Sequence, residues 1–184
     1  MKRALIIIDV QNAFYDDSWG SRNNLQAETN ISHLLSLWRA SKQNVIFIQH
    51  ISQNPDSLFY PENHSFQIKE IVQPIDGEMI ITKEVNSAFI NTALEDTLKN
   101  KGITEVVITG LTTPHCVSTT TRMSGNLGFT TFLISDATAA FGLVDHNDHY
   151  IDAETIHHSS LATLHKEFAT VITTSEYIKN FIDR

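Results

Sequence analysis

The sequence predicts a doubly wound α/β domain, a mainly parallel six-stranded sheet with helices on both faces in a Rossmann-like three-layer sandwich. Three observations carry this reading. Apolar runs rich in Ile and Val at residues 4–8, 45–49, 79–81, 106–109, 131–134 and 171–172 lack polar alternation, as strands buried on both faces do. Segments of helical apolar spacing separate most of these runs. The resulting order, β-α-β, a longer loop, then β-α-β-α-β-α-β-α, calls for right-handed crossovers onto both faces of one sheet. A length of 184 residues with 41% hydrophobic side chains suits a single domain over 1–184.

The elements follow in chain order. The first strand, Leu5-Ile6-Ile7-Ile8, ends at Asp9. Ile31, Leu34, Leu35 and Trp38 recur at helical spacing until the polar stretch Ser41-Lys42-Gln43-Asn44 stops the first helix. The strand at 79–81 leads to Lys83, and Phe89, Ala93, Leu94 and Leu98 mark the second helix, with Gly102 placed as its C-cap. The strand at 106–109 ends at Gly110, a tight turn follows, and a third helix starts close to Cys116 and runs to Leu127, ended by Gly128. A fourth helix spans about 153–168, and a short last helix follows Ser175. Asp145-His146-Asn147-Asp148-His149 has the look of a ligand set but reads better as a solvated loop, with Asp152 or a neighbour as N-cap of the fourth helix. His157, His158 and His165 fall in that helix, where packing or surface roles are the simpler reading.

Composition narrows the function. A net charge of −8 argues against a nucleic-acid partner, which needs clustered Lys and Arg. No apolar run approaches the roughly 20 residues of a membrane helix. The apolar run behind Met1-Lys2-Arg3 stops at Asp9 after five residues, below the roughly 7–15 of a signal peptide, so the chain reads as cytoplasmic. A single cysteine excludes an internal disulfide and argues against a cysteine-based zinc site.

Chemistry points to three strand ends. Asp9, Lys83 and Cys116 each follow a predicted strand at its carboxyl end, the edge where open parallel sheets bind ligands. Each has a bland alternative: a turn-capping carboxylate, a solvated lysine, a small buried thiol. Their convergence on one edge favours a site. Cys116 also sits at a predicted helix start, where unpaired N–H groups stabilise a thiolate and can hold an oxyanion. The logic is that of a nucleophile elbow, although Gly-x-Ser-x-Gly is absent. The patternless stretches 12–24 and 51–73 meet the same edge and bring Phe14, Trp19, Phe59 and Tyr60 as pocket or lid aromatics, a subunit interface being the alternative.

Three segments together, Ile6-Ile7-Ile8-Asp9-Val10-Gln11-Asn12, Thr82-Lys83-Glu84-Val85-Asn86-Ser87-Ala88-Phe89 and Gly110-Leu111-Thr112-Thr113-Pro114-His115-Cys116-Val117, match a known pattern in order and spacing. Across nearly its whole length the chain resembles the isochorismatase-like cysteine hydrolases, relatives of nicotinamidase and N-carbamoylsarcosine amidohydrolase. The resemblance implies an Asp9–Lys83–Cys116 triad. It also implies a non-proline cis peptide bond at Leu111–Thr112, which would turn the Thr112 N–H toward the site as an oxyanion donor beside the N–H of Cys116. Gln11, Phe14, Trp19, Phe89 and His115 are the expected substrate-binding residues. The implied activity is hydrolysis of a C–N bond (amide, ureide or carbamoyl) in a small molecule through a cysteinyl thioester. Vinyl-ether hydrolysis of the isochorismatase type is the alternative within the enzymes, and a thiol-bearing binding or redox protein is the rival outside them. Relatives also lead one to expect a homo-oligomer, dimer or tetramer.

Two departures stand out. Pro114 occupies a position where many relatives carry Asp, Asn or Glu, which leaves the pocket's polarity open. The metal-binding relatives use an Asp-x-His pair and a later His after the second strand; Gln49-His50-Ile51 and His64 do not reproduce that set. No metal and no cofactor are expected.

Overall fold

The computed structural model describes residues 2–182. In it β1 (Arg3–Ile8), β2 (Asn44–His50), β3 (Met79–Lys83), β4 (Glu105–Leu111) and β5 (Thr130–Ala139) precede a small antiparallel hairpin of β6 (Leu143–Val144) and β7 (Tyr150–Ile151), and β8 (Thr170–Ile172) follows. All but the hairpin join one parallel sheet in the order β3-β2-β1-β4-β5-β8. The chain winds outward from β1 in one direction and from β4 in the other. The gap between their carboxyl ends is therefore the switch point of the sheet, the crevice where this topology places ligands.

Successive side chains of a strand point to opposite faces, so a strand apolar at every position needs cover on both. Ile6, Ile8, Ile46, Ile48, Val106 and Ile108 face a core completed by Leu94 and Leu98 of α2 (Leu94–Asn100) and by Leu161 and Leu164 of α4 (Ala153–Leu164). Leu5, Ile7, Val45, Phe47 and Val107 face the other core, against Ile31, Leu34, Leu35 and Trp38 of α1 (Ala27–Ala40) and Tyr177 of α5 (Thr174–Phe181). Each such aliphatic contributes about 1.5–3 kcal/mol on burial, which makes the two-sided sheet the main source of stability.

The helix expected from Phe89 onward begins at Leu94. Asn91 has φ 55°, which helical backbone does not admit, and the Thr92 hydroxyl accepts from the Leu94 N–H at 3.2 Å, so the helix starts there. The fourth helix stops at Leu164, short of 168, because Lys166 takes φ 70° and turns the chain into β8. The third is divided: one π-helical turn, Thr113–Val117, leads into α3 (Ser118–Asn126). The stretch 145–149 read as a loop is the turn of the β6–β7 hairpin. Asp145 Oδ1 accepts there from the N–H groups of Asn147 (2.8 Å) and His149 (3.0 Å), which accounts for Asp145 without a ligand. Asp152 caps α4 through the Thr155 N–H at 2.9 Å.

Candidate active site

The three strand ends meet at the switch point. Asp9 leaves β1 at φ 51°, its N–H held by the Ile48 carbonyl at 2.9 Å. Lys83 closes β3 and is in register with His50, the last residue of β2. Cys116 sits in the π-helical turn behind β4. Gly110 has φ +121°, and a Cβ there would overlap the Ile8 backbone; only glycine lets β4 pass so close to the start of the Asp9 turn. The Leu111–Thr112 peptide bond is cis.

Lys83 Nζ lies 2.7 Å from Asp9 Oδ2, 3.0 Å from His50 Nδ1 and 3.3 Å from Cys116 Sγ. An ammonium has three N–H donors, and each has an acceptor here. The Asp9 and Lys83 side chains are 1% and 0% exposed. Burial raises the Asp9 carboxyl above its ordinary range, even against the neighbouring Lys83 charge. Burial, followed by the Asp9 charge, pushes the Cys116 thiol up to about 12, so at neutral pH the sulfur rests protonated beside a carboxylate that is a better base than usual. Burial and the Lys83 charge lower His50 to about 4, leaving its imidazole neutral.

Asp9, His50 and Cys116 form the floor of a cavity of about 240 Å³ whose walls include Phe14, Trp19, Phe59, Asn86, Thr112 and His115. Phe14 is central to the apolar wall, 5.0 Å from the Trp19 ring and 5.6 Å from that of Phe59, and it stacks on Phe141 at 6.1 Å. The Trp19 indole N–H donates to the Ala13 carbonyl at 2.9 Å, so the ring faces the cavity without a free donor. His115 Nδ1 and Thr112 Oγ1 are 3.0 Å apart.

Among the expected substrate-binding residues, Phe14, Trp19 and His115 line this cavity, and two do not. Phe89 is a core residue, 8% exposed and stacked on Phe129 at 6.1 Å, because the chain at 87–90 turns inward ahead of α2. Gln11 is fully buried; its amide donates to the carbonyls of His50 (3.0 Å) and Phe66 (2.8 Å), and its Oε1 accepts from the His50 N–H at 2.8 Å. It fixes the end of β2 and does not line the cavity. Sequence reasoning missed His50 and Asn86. His50 entered only as part of an incomplete metal motif, although its place at a strand's carboxyl end was the same signal that marked Lys83.

Donor atoms of Asp9, His50 and Cys116 lie within 4.8 Å of one another, a spacing that suits a metal ion. The cation this set surrounds is the Lys83 ammonium, which already bonds all three. A larger open groove of about 700 Å³ lies on the far side of Phe14 and Phe141. It is lined by no cysteine, and its Glu28 is paired with Arg22 at 2.5 Å and with Lys69 behind it at 2.7 Å.

A thiol, a lysine and a carboxylate thus meet at the switch point of the doubly wound sheet, where this topology places ligands. An isochorismatase domain matches residues 3–176, and the chain belongs to the isochorismatase family. It is 67% identical over 181 residues to the isochorismatase family protein YrdC of Bacillus subtilis (strain 168), covering 98% of this chain and 97% of that one. A crystal structure of a hydrolase of the isochorismatase family from Chromobacterium violaceum matches with a TM-score of 0.95 and 39% identity, over 97% of this chain and 92% of the other. Nicotinamidase 3 of Arabidopsis thaliana is 29% identical over 182 residues, which span 92% of this chain and 83% of that protein.

Proposed function

We propose that this hydrolase cleaves a C–N bond of a small uncharged amide, ureide or carbamoyl compound through a thioester on Cys116. The observation that carries the reading is the placement of Lys83 Nζ between Asp9 Oδ2 and Cys116 Sγ, at 2.7 and 3.3 Å, beneath a cavity with largely apolar walls. As Sγ attacks the carbonyl carbon, its proton passes to Asp9, whose burial-raised affinity suits it to receive it. The Lys83 ammonium offsets first the carboxylate and then the sulfur. The tetrahedral oxyanion is held by the backbone N–H groups of Thr112 and Cys116. Asp9 returns the proton to the departing nitrogen, which leaves as ammonia or an amine, and the acyl group remains on sulfur. Water, deprotonated by Asp9, then attacks the thioester; the acid is released and the thiol takes its proton back.

Wall chemistry supports the uncharged substrate. Among the described residues lining the cavity Asp9 is the only charged one, and the Lys83 beneath it has every N–H engaged. No wall cation is present to hold the carboxylates of isochorismate, which favours amide over vinyl-ether chemistry. Similarity to a protein named nicotinamidase points the same way. The chain has no helix long and apolar enough to cross a membrane among its described residues. We assign it to the cytoplasm as a homo-oligomer, a reading supported by the exposed apolar side chains of Leu25, Val144 and Tyr150 and tested by sedimentation velocity.

The deciding experiment measures ammonia or amine release from a panel of small amides, ureides and carbamoyl compounds, with Cys116→Ala and Asp9→Asn beside the wild type. Release abolished in both variants is expected. Release that survives Cys116→Ala overturns the thioester.

A further inference from the structure

His50 does two things that no triad member does. Its Nδ1 lies 3.0 Å from Lys83 Nζ, and its backbone is held on both sides by the buried amide of Gln11, at 2.8 and 3.0 Å. The ring packs edge-on to Phe59 with centroids 5.0 Å apart. This fixes the imidazole tautomer. Lys83 is a pure donor, so Nδ1 must present its lone pair, and a neutral ring then carries its proton on Nε2. Burial and the lysine charge keep the ring neutral, at about 4. Of the two ring nitrogens only Nδ1 has a hydrogen-bond partner among the described residues, and His50 lines the cavity. The neighbouring aromatic donor is spent, since the Trp19 N–H is bonded to Ala13.

We infer that His50 is a fourth working residue of the site: Nδ1 fixes the direction of the Lys83 ammonium, and Nε2–H donates a hydrogen bond to an uncharged acceptor, a carbonyl oxygen or ring nitrogen, on the substrate. The second half rests on the proposed hydrolysis of a neutral substrate; the first does not. Asp9 and Cys116 require the ammonium at a fixed point between them. Two acceptors alone would leave the third N–H free to swing toward water, and His50 closes that option. The ring also sets what the substrate must offer, since a donor or a cation placed against Nε2–H meets a proton.

The two hands of the ring are separable by substitution. His50→Asn keeps an acceptor close to the place of Nδ1 and removes the donor at Nε2. His50→Gln carries its amide out to the place of Nε2 and removes the acceptor from Lys83. Alkylation of the single cysteine by iodoacetamide, followed across pH, reads the lysine's grip without any substrate. His50→Asn should alkylate like the wild type, and His50→Gln about fivefold more slowly at pH 8 with its profile moved to higher pH, the effect of one hydrogen bond. With a substrate from the panel, His50→Asn should raise KM about fivefold and spare kcat, whereas His50→Gln should lower kcat and spare KM. Thermal melts of both variants identify any loss that comes from unfolding, and either variant alone still tests its own hand. Equal alkylation profiles in folded His50→Asn and His50→Gln would overturn the lysine role. An unchanged KM in His50→Asn would overturn the substrate contact. If the panel yields no substrate, the amide reading fails while the alkylation contrast still decides the role of Nδ1.

Discussion

Cys116 Sγ lies 3.7 Å from Asn86 Oδ1, and both residues line the same cavity. The thiol therefore has a neutral acceptor; in the proposed reaction its proton passes to Asp9 as the sulfur attacks. Asn86→Asp places a second carboxylate against a thiol already pushed up to about 12. Alkylation of Cys116 at pH 8 should slow about tenfold in that variant, because a like charge disfavours the thiolate. An unchanged rate would mean that Asn86 is no neighbour of the reacting sulfur.

Removing one member of the Lys83–Asp9 pair should cost more than removing both. Lys83→Met leaves a fully buried carboxylate without a counter-charge, and a loss of about 3–5 kcal/mol in urea unfolding is expected. Asp9→Asn combined with Lys83→Met leaves no net charge to compensate and should recover most of that loss. Both proteins should be inactive, so stability and function part company here.

The Arg22–Glu28–Lys69 cluster ties the Phe14–Trp19 segment to α1. Glu28 takes both cations, and Lys69 lies against the Tyr15 ring at 3.8 Å. Although burial works against it, bonding to Arg22 and Lys69 holds the Glu28 carboxyl at about 2, below its ordinary 4.5. A carboxyl depressed in the folded state stabilises above its unfolded pKa and loses that contribution as pH falls from 4.5 toward 2. Burial of Lys69 lowers its own pKa and takes back part of the gain. Glu28→Gln should cost about 2 kcal/mol at pH 7 and less at pH 3, read by urea unfolding at the two pH values.

His157 predicts a second acid-sensitive window. It is 3% exposed, its Nδ1 lies 2.8 Å from Thr113 Oγ1 at the head of the π-helical turn, and burial lowers it to about 4 from 6.5. A histidine depressed in the folded state leaves the unfolded chain binding more protons between those values. Stability is then complete above 6.5 and falls as pH drops toward 4. His50 adds in the same direction. Unfolding free energy should decline by about 2 kcal/mol per histidine across that window, and His157→Asn should flatten the curve by its share.

The sheet was legible because β1, β2 and β4 are apolar at nearly every position, a pattern few other arrangements bury. Asp9, Lys83 and Cys116 were legible as polar residues where such runs stop. What joins them is not local. The contact of His50 with Lys83 depends on the parallel register of β2 on β3, and that of Asn86 with Cys116 on the path of a loop between β3 and α2. Phe89 misled for a related reason: apolar spacing continued through a stretch that Asn91 and Thr92 keep out of the helix. The β6–β7 hairpin has two-residue strands, too short to leave a period. Lys69 and Glu28 are 41 residues apart, and neither neighbourhood in sequence announces the other.

The charges at the floor of the cavity cancel, Lys83 against Asp9, while the chain as a whole carries −8. At distances beyond a few ångströms an approaching anion therefore meets the repulsive field of the net negative chain and no compensating attraction from the mouth. Encounter with an uncharged substrate should not depend on ionic strength, whereas an anion should be slowed in dilute buffer and released from that penalty as salt shortens the screening length below about 10 Å. The enzyme is in this sense filtered by diffusion before any contact is made: kcat/KM for a neutral substrate should stay level from low to high salt, and that of an anionic analogue should climb.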